Sequence, residues 1–236
     1  MILENSYYYF KNAITPEQCQ SIIELGNSKI VEEATTYGND EKSKNLNKPS
    51  IGDKLPSEVK DKSKYHLRDS KISWINEQWV SDLIMPFIEK SNIQAGWNFD
   101  IDQHESFQFT RYNEKGAFYG WHNDGCGDWP DIYKKEIPGV TTSRTANKKY
   151  TRNINQIGKV RKLSATIALN TGYTGGDLKF DFGPHCDSKN RYQICKEVRD
   201  VGSICIFPSF VQHCVTPIET GERYSLVVWC LGRPFR

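Results

Sequence analysis

Within Gly120-Trp121-His122-Asn123-Asp124-Gly125 an imidazole and a carboxylate stand two residues apart, and on an extended chain such residues point to the same side. That is two-thirds of a facial metal triad. The third ligand falls to His213, about ninety residues on, at the end of the stretch 207–213, where a strand runs out into a loop. Two histidines and one carboxylate cover one face of an octahedral ion and leave three positions open. This is the arrangement for an Fe(II) that must take a bidentate cosubstrate and O2. An H-x-D tripeptide alone arises by chance and then holds an ordinary surface or core histidine. A distant His213 followed ten residues later by Arg223 makes chance a poorer account. Zinc competes for the same donors, but it would be expected to recruit some of the seven cysteines.

The stretch 213–223 reads as a strand end, a turn at Gly221 and a return strand, which brings Arg223 back alongside the metal. A guanidinium is always charged and planar, and it fits the distal carboxylate of 2-oxoglutarate. On the return strand Arg223, Ser225, Val227 and Trp229 share one face, so the predicted pocket is polar at its mouth and packed at its base. Tyr112 and Tyr119 precede His122 and can close the pocket, while Ser164 and Thr166 can add hydroxyls from a facing strand. Val215 is expected against the cosubstrate methylenes. Each of these aromatics and hydroxyls also reads as an ordinary core residue. His66, His104 and His185 lack partners at useful spacing and read as surface or structural residues.

These residues need a β-rich scaffold. After Gly96 the sequence turns to short alternating runs at 99–101, 107–112, 163–169, 178–182, 203–207 and 223–230, which predict a β-sandwich or jelly roll within an α+β, mainly β fold. N-terminal helices buttress it. One starts with Thr15 as N-cap, Pro16 at the first position and Gln18 closing a capping box, with Cys19, Ile22 and Ile23 as its buried stripe and Gly26 at its end. Trp74, Ile75, Trp79, Leu83, Ile84, Phe87 and Ile88 predict a second helix that Pro86 kinks or ends. Residues 37–69 are rich in Lys, Asn, Asp and Ser and read as a long mobile surface segment. The whole chain, 1–236, is expected to be one domain, with 1–98 as helical support and 99–236 as the β-rich core.

Composition narrows the partners. Thirty-one basic and 29 acidic side chains leave a net charge of +2, so the overall field offers no reason to expect nucleic acid or an anionic membrane. No run spans a bilayer and no leader pattern opens the chain, from which a cytoplasmic protein is expected. The odd cysteine count without a C-x-x-C pair predicts free buried thiols. The basic connection 134–162, bordered by Trp129, Tyr133 and Tyr150, follows two of the candidate ligands and can attract an acidic or polypeptide substrate, or nucleic acid.

Taken together, these motifs resemble the prolyl 4-hydroxylase branch of the Fe(II)/2-oxoglutarate-dependent dioxygenases, including PKHD-type hydroxylases of bacteria and phages. The likeness runs through 111–116, 119–124, 163–170, 175–178, 207–209, 213–217 and 221–226. It implies a double-stranded β-helix core over 99–236, Fe(II) at His122, Asp124 and His213, 2-oxoglutarate at Arg223, O2 as oxidant, often ascorbate as reductant, and hydroxylation of a protein or peptide residue such as proline with release of succinate and CO2. Where several relatives carry a cosubstrate-binding tyrosine this chain has Ala168, so Ser164 or Thr166 is expected to substitute. The 126–162 connection is longer than in compact relatives. Two other functions stay open: an oxygenase of nucleic-acid bases using the basic connection, and a catalytically silent jelly-roll binding module.

Overall fold

The computed structural model describes residues 5–34, 68–126, 132–137, 150–183 and 191–235. Its first half runs β1 (Tyr8–Phe10), α1 (Pro16–Ser28), β2 (Glu32–Glu33), β3 (Lys71–Ile75), α2 (Gln78–Gln94), β4 (Gln103–His104), β5 (Phe107–Tyr112) and β6 (Tyr119–His122). Then come β7 (Lys134–Lys135), β8 (Tyr150–Thr151), β9 (Val160–Ala168), β10 (Thr174–Gly175), β11 (Leu178–Asp181), β12 (Tyr192–Ile194), β13 (Ile204–Pro208), β14 (Gln212–Val215), β15 (Ile218–Thr220) and β16 (Arg223–Gly232).

A major antiparallel sheet has the order β1-β13-β9-β16-β5-β3-β2, with β4 on β16, and a minor one has the order β12-β11-β14-β6. This is the expected jelly roll. Side chains alternate across the major sheet. Phe107 and Phe109 of β5, Leu163 and Ile167 of β9, Ile204 and Ile206 of β13, and Leu226 and Val228 of β16 turn to the helices and form the main core with Ile22, Ile84 and Ile88. Each such fully buried Ile or Phe contributes about 2–3 kcal/mol. The intervening residues face the other way, toward the minor sheet, where Phe180 of β11 meets Phe207 of β13 edge-on at 5.1 Å.

The capping box of α1 forms as predicted: the Gln18 amide N–H donates to Thr15 Oγ1, and the Thr15 amide donates to Gln18 Oε1. Gly26, however, does not end the helix. It lies buried inside it, and a Cβ there would stand 2.4 Å from the Phe109 ring, so its missing side chain lets α1 settle on the sheet. Trp74 and Ile75 belong to β3, not to the second helix, and Trp79 is exposed. Pro86 sits within α2 without ending it, on the solvent side. Residues 99–101 form no strand, although Phe99 joins the core. The N-terminal part contributes strands β1, β2 and β3 to the major sheet as well as helices.

Among the described cysteines five are buried, whereas Cys126 is exposed on the loop after the H-x-D motif. Residues 37–67 of the expected mobile segment lie outside the described residues, as do His66, Cys186, His185, Trp129 and much of the basic connection. No helix among the described residues is long and apolar enough to cross a membrane.

Candidate active site

His122 closes β6, and His213 lies opposite it on β14 as its register partner. Asp124 follows β6 in a loop pinned from below: the Asp124 and Gly125 amides both donate to the Ser209 carbonyl, at 2.9 and 3.1 Å. Ser209 is itself anchored, its amide donating to the Lys162 carbonyl and its hydroxyl sharing a 2.9 Å hydrogen bond with Ser164. The three candidate ligands therefore come together on a rigid base, with ligand atoms all within 4.8 Å of one another. Asp124 carboxylate oxygens lie 3.6 Å from His122 Nε2 and 3.5 Å from His213 Nε2.

The donor set suits a divalent ion. Nδ1 of His122 is 2.8 Å from the Gly120 carbonyl and Nδ1 of His213 is 2.9 Å from the Val211 carbonyl. Each ring thus donates from Nδ1 and turns a lone-pair-bearing Nε2 toward Asp124, the backing expected of metal-binding histidines. Burial, reinforced by neighbouring His122, pushes the His213 imidazole down to about 4, which keeps it neutral and able to ligate. Burial alone would raise the Asp124 carboxyl, but the two imidazoles and Arg161 outweigh it and hold the group below the usual carboxylate range. A carboxylate and two ring nitrogens facing one another are the donors a divalent metal takes up, and binding requires each to be free of its proton.

Aromatic rings fix the pair of histidines. Tyr119 stacks flat on His122, and Phe207 meets His213 edge-on at 4.6 Å. Burial raises the Tyr119 phenol above its ordinary value, so it stays protonated.

Arg223 opens β16 opposite Tyr112 of β5. It is 5 % exposed, yet its hydrogen-bond partner is the neutral Ser225 hydroxyl, at 3.1 Å from Nη1, and its guanidinium carbon lies 5.2 Å from the Tyr112 ring centroid. A buried guanidinium without a carboxylate is costly unless an anion joins it, which makes it a fitting seat for a dicarboxylate cosubstrate. Tyr112, Val215 and Ile218 pack together beside it, with Tyr119 against them. Gly176, at φ +63°, leaves the space: a Cβ there would stand 3.0 Å from Arg223 Cδ. Thr166 pairs with Val227 on the pocket-facing side of the sheet, whereas the Ser164 hydroxyl is already engaged by Ser209. His104 is structural, bonded to the Ser81 hydroxyl and near the Glu105 carbonyl.

Three residues that the sequence did not single out stand in or beside this site. Arg161, noted only as one charge of the basic connection, forms a two-pronged ion pair with Glu105, both contacts at 2.6 Å. It lies 3.9 Å from the Trp229 ring centroid and reaches the Asp124 carbonyl at 3.4 Å. Glu105 also accepts from the Tyr133 hydroxyl. Arg68, at the edge of the unassigned polar segment, is buried over the Tyr119 ring. Of the six basic side chains on the described part of 134–162, three pair with carboxylates: Arg152 with Glu136, Lys159 with Asp102 and Arg161 with Glu105.

Comparison with known proteins agrees with this geometry. A sequence model of the 2OG-Fe(II) oxygenase superfamily matches residues 107–231, more than half of the chain. No curated protein matches. Among solved structures, a prolyl-4-hydroxylase of Pseudomonas putida is similar in fold, with TM-score 0.54 and 17 % identity over 98 % of this chain and 94 % of that one. A Trichoplax adhaerens prolyl hydroxylase, in complex with a hypoxia inducible factor peptide fragment, aligns with TM-score 0.59 and 16 % identity over 96 % and 84 %. A viral collagen prolyl hydroxylase from Paramecium Bursaria Chlorella virus-1 aligns with TM-score 0.54 and 14 % identity over 97 % of both chains.

Proposed function

From the premise that the chain belongs to the 2OG-Fe(II) oxygenase superfamily, we propose that it hydroxylates an unactivated C–H bond in a protein or peptide residue, proline first among the candidates. The observation that carries this reading is the buried His122–Asp124–His213 cluster, with both Nδ1 atoms near backbone carbonyls and both Nε2 atoms turned toward one carboxylate. His122, Asp124 and His213 would hold Fe(II), and Arg223 with Ser225 would hold the distal carboxylate of 2-oxoglutarate. When bound, iron and the oxo acid supply the oxidising chemistry, in which decarboxylation to succinate and CO2 accompanies insertion of one atom of O2 into the substrate.

The protein contributes position and exclusion of water. Tyr119 and Phe207 hold the imidazole planes, Ser209 holds the loop that carries Asp124, and Tyr112, Val215 and Ile218 would shield the cosubstrate chain. Ascorbate is the proposed reductant that keeps the metal ferrous. We take the whole of 1–236 as one catalytic domain. A reducing, cytoplasmic setting suits the free thiols. The peptide preference leans on the structural likeness to prolyl hydroxylases, one of which is seen with a peptide.

The test is turnover. Incubation with Fe(II), 2-oxoglutarate, ascorbate and a library of proline-containing peptides should release succinate and add the mass of one oxygen atom to a peptide. Succinate that rises only with single-stranded DNA or RNA would move the assignment to nucleic-acid bases. A protein that releases no succinate under any condition would be a binding module.

A further inference from the structure

Among the described arginines, Arg111, Arg152, Arg161, Arg191 and Arg199 each form an ion pair with an Asp or Glu. The two buried ones that do not are Arg68 and Arg223, 8 % and 5 % exposed. Arg68 donates from Nε to Ser70 Oγ at 2.8 Å, and from Nη2 to Gln108 Oε1 at 2.8 Å and Thr110 Oγ1 at 3.3 Å. These acceptors are neutral, and the flat face of Tyr119 lies 4.5 Å from the guanidinium carbon. A buried cation held by dipoles and a ring alone is costly, and a counter-charge relieves that cost.

The two guanidiniums are held from paired positions on neighbouring strands. Thr110, which holds Arg68, is the register partner of Ser225, which holds Arg223. Tyr119 links Arg68 to the metal ligands, since its ring also stacks on His122 with centroids 3.5 Å apart. Two carboxylate-free guanidiniums call for two anions, and the cosubstrate's distal carboxylate satisfies only one.

We infer that Arg68 binds a carboxylate of the substrate, so that the molecule presented to the metal cluster is acidic close to its reacting carbon. The inference rests on the oxygenase reading above. Nε and Nη2 are already engaged, and the free N–H groups of Nη1 suit one carboxylate oxygen better than the larger, doubly charged head of a phosphate. The carboxylate comes either from an Asp or Glu side chain of a peptide or from a free small acid.

The test is equilibrium binding to the full chain loaded anaerobically with Fe(II) and saturating 2-oxoglutarate. Fluorescent peptides containing Glu-Pro are compared with Gln-Pro isosteres, and free glutamate is compared with free glutamine as competitor. The expected result is a preference of about tenfold or more for the acid over its amide, in the peptide arm if the source is a side chain and in the competitor arm if it is a free acid. Arg68→Gln should erase that preference and Arg68→Lys should keep part of it. Equal binding of acid and amide by the unaltered protein, or no binding in either arm, overturns the inference and needs no variant to do so. It is likewise overturned if Arg68→Gln raises the 2-oxoglutarate concentration needed for the visible iron–oxo acid band, because Arg68 would then serve the cosubstrate. A wild-type protein without that band contradicts the oxygenase reading itself, and the inference falls with it; a band without acid preference removes the inference alone.

Discussion

Tyr119 lies flat against His122, ring centroids 3.5 Å apart and planes 14° from parallel. The contact fixes the imidazole plane while the Gly120 carbonyl fixes its tautomer, so Nε2 is aimed before any ion arrives. Tyr119→Phe should keep the stacking and bind Fe(II) nearly as well as the parent. Tyr119→Ala should weaken the metal about 10- to 100-fold, the range for losing support around a ligand. Competition with a coloured chelator measures both, and equal affinities in the two variants would show the stacking to be idle.

Gly176 lies in the left-handed region, where an added Cβ would stand 2.5 Å from Ile218 Cδ1 and 3.0 Å from Arg223 Cδ. Gly176→Ala should displace the guanidinium and raise the 2-oxoglutarate requirement about tenfold or more, with metal affinity unchanged. Titration of the anaerobic iron protein with 2-oxoglutarate reads the effect.

Glu105 compensates a largely buried Arg161, and that pair borders the Asp124 carbonyl. Glu105→Ala leaves the guanidinium without its counter-charge and should cost about 3 kcal/mol or more of stability. Urea denaturation is the check, and a loss under about 1 kcal/mol would mean that solvent already screens the pair.

Gly26→Ala would gain roughly 1 kcal/mol in helix propensity on an exposed surface. Here the added methyl meets the buried Phe109 ring at 2.4 Å, and overpacking of about 1–3 kcal/mol should leave the variant less stable than the parent. A raised melting temperature would contradict the packing of α1 on β5.

The parts of this fold legible in the sequence are those written locally. The capping box of α1 is complete within four residues, and β5 shows its alternation of Phe107 and Phe109 with Gln108 and Thr110 unaided. The convergence of His122 and Asp124 was legible because extended geometry brings alternate residues together; the expected return strand carrying Arg223 is not the neighbour of the His213 strand, since β14 lies in the minor sheet, β16 in the major one, and β15 between them pairs with β10. Trp74 and Ile75 were misread because β3 is only five residues long and its apolar positions run into the helical period of α2. Gly26 resembled a helix stop because no local signal records the approach of Phe109. Arg68 and Glu105 carry no local signal at all: the burial of Arg68 follows from its bridge to Tyr119, and that of Glu105 from contacts with Arg161 and Tyr133 across separate segments.

The most direct measurement of the central claim is spectroscopic. The protein is mixed without oxygen with Fe(II) and 2-oxoglutarate and examined for the visible charge-transfer band of an iron-bound oxo acid, beside His122→Ala and Arg223→Ala. A band is expected in the parent, lost in His122→Ala, and in Arg223→Ala seen only at much higher 2-oxoglutarate. A folded parent protein that binds iron yet gives no band would contradict the account.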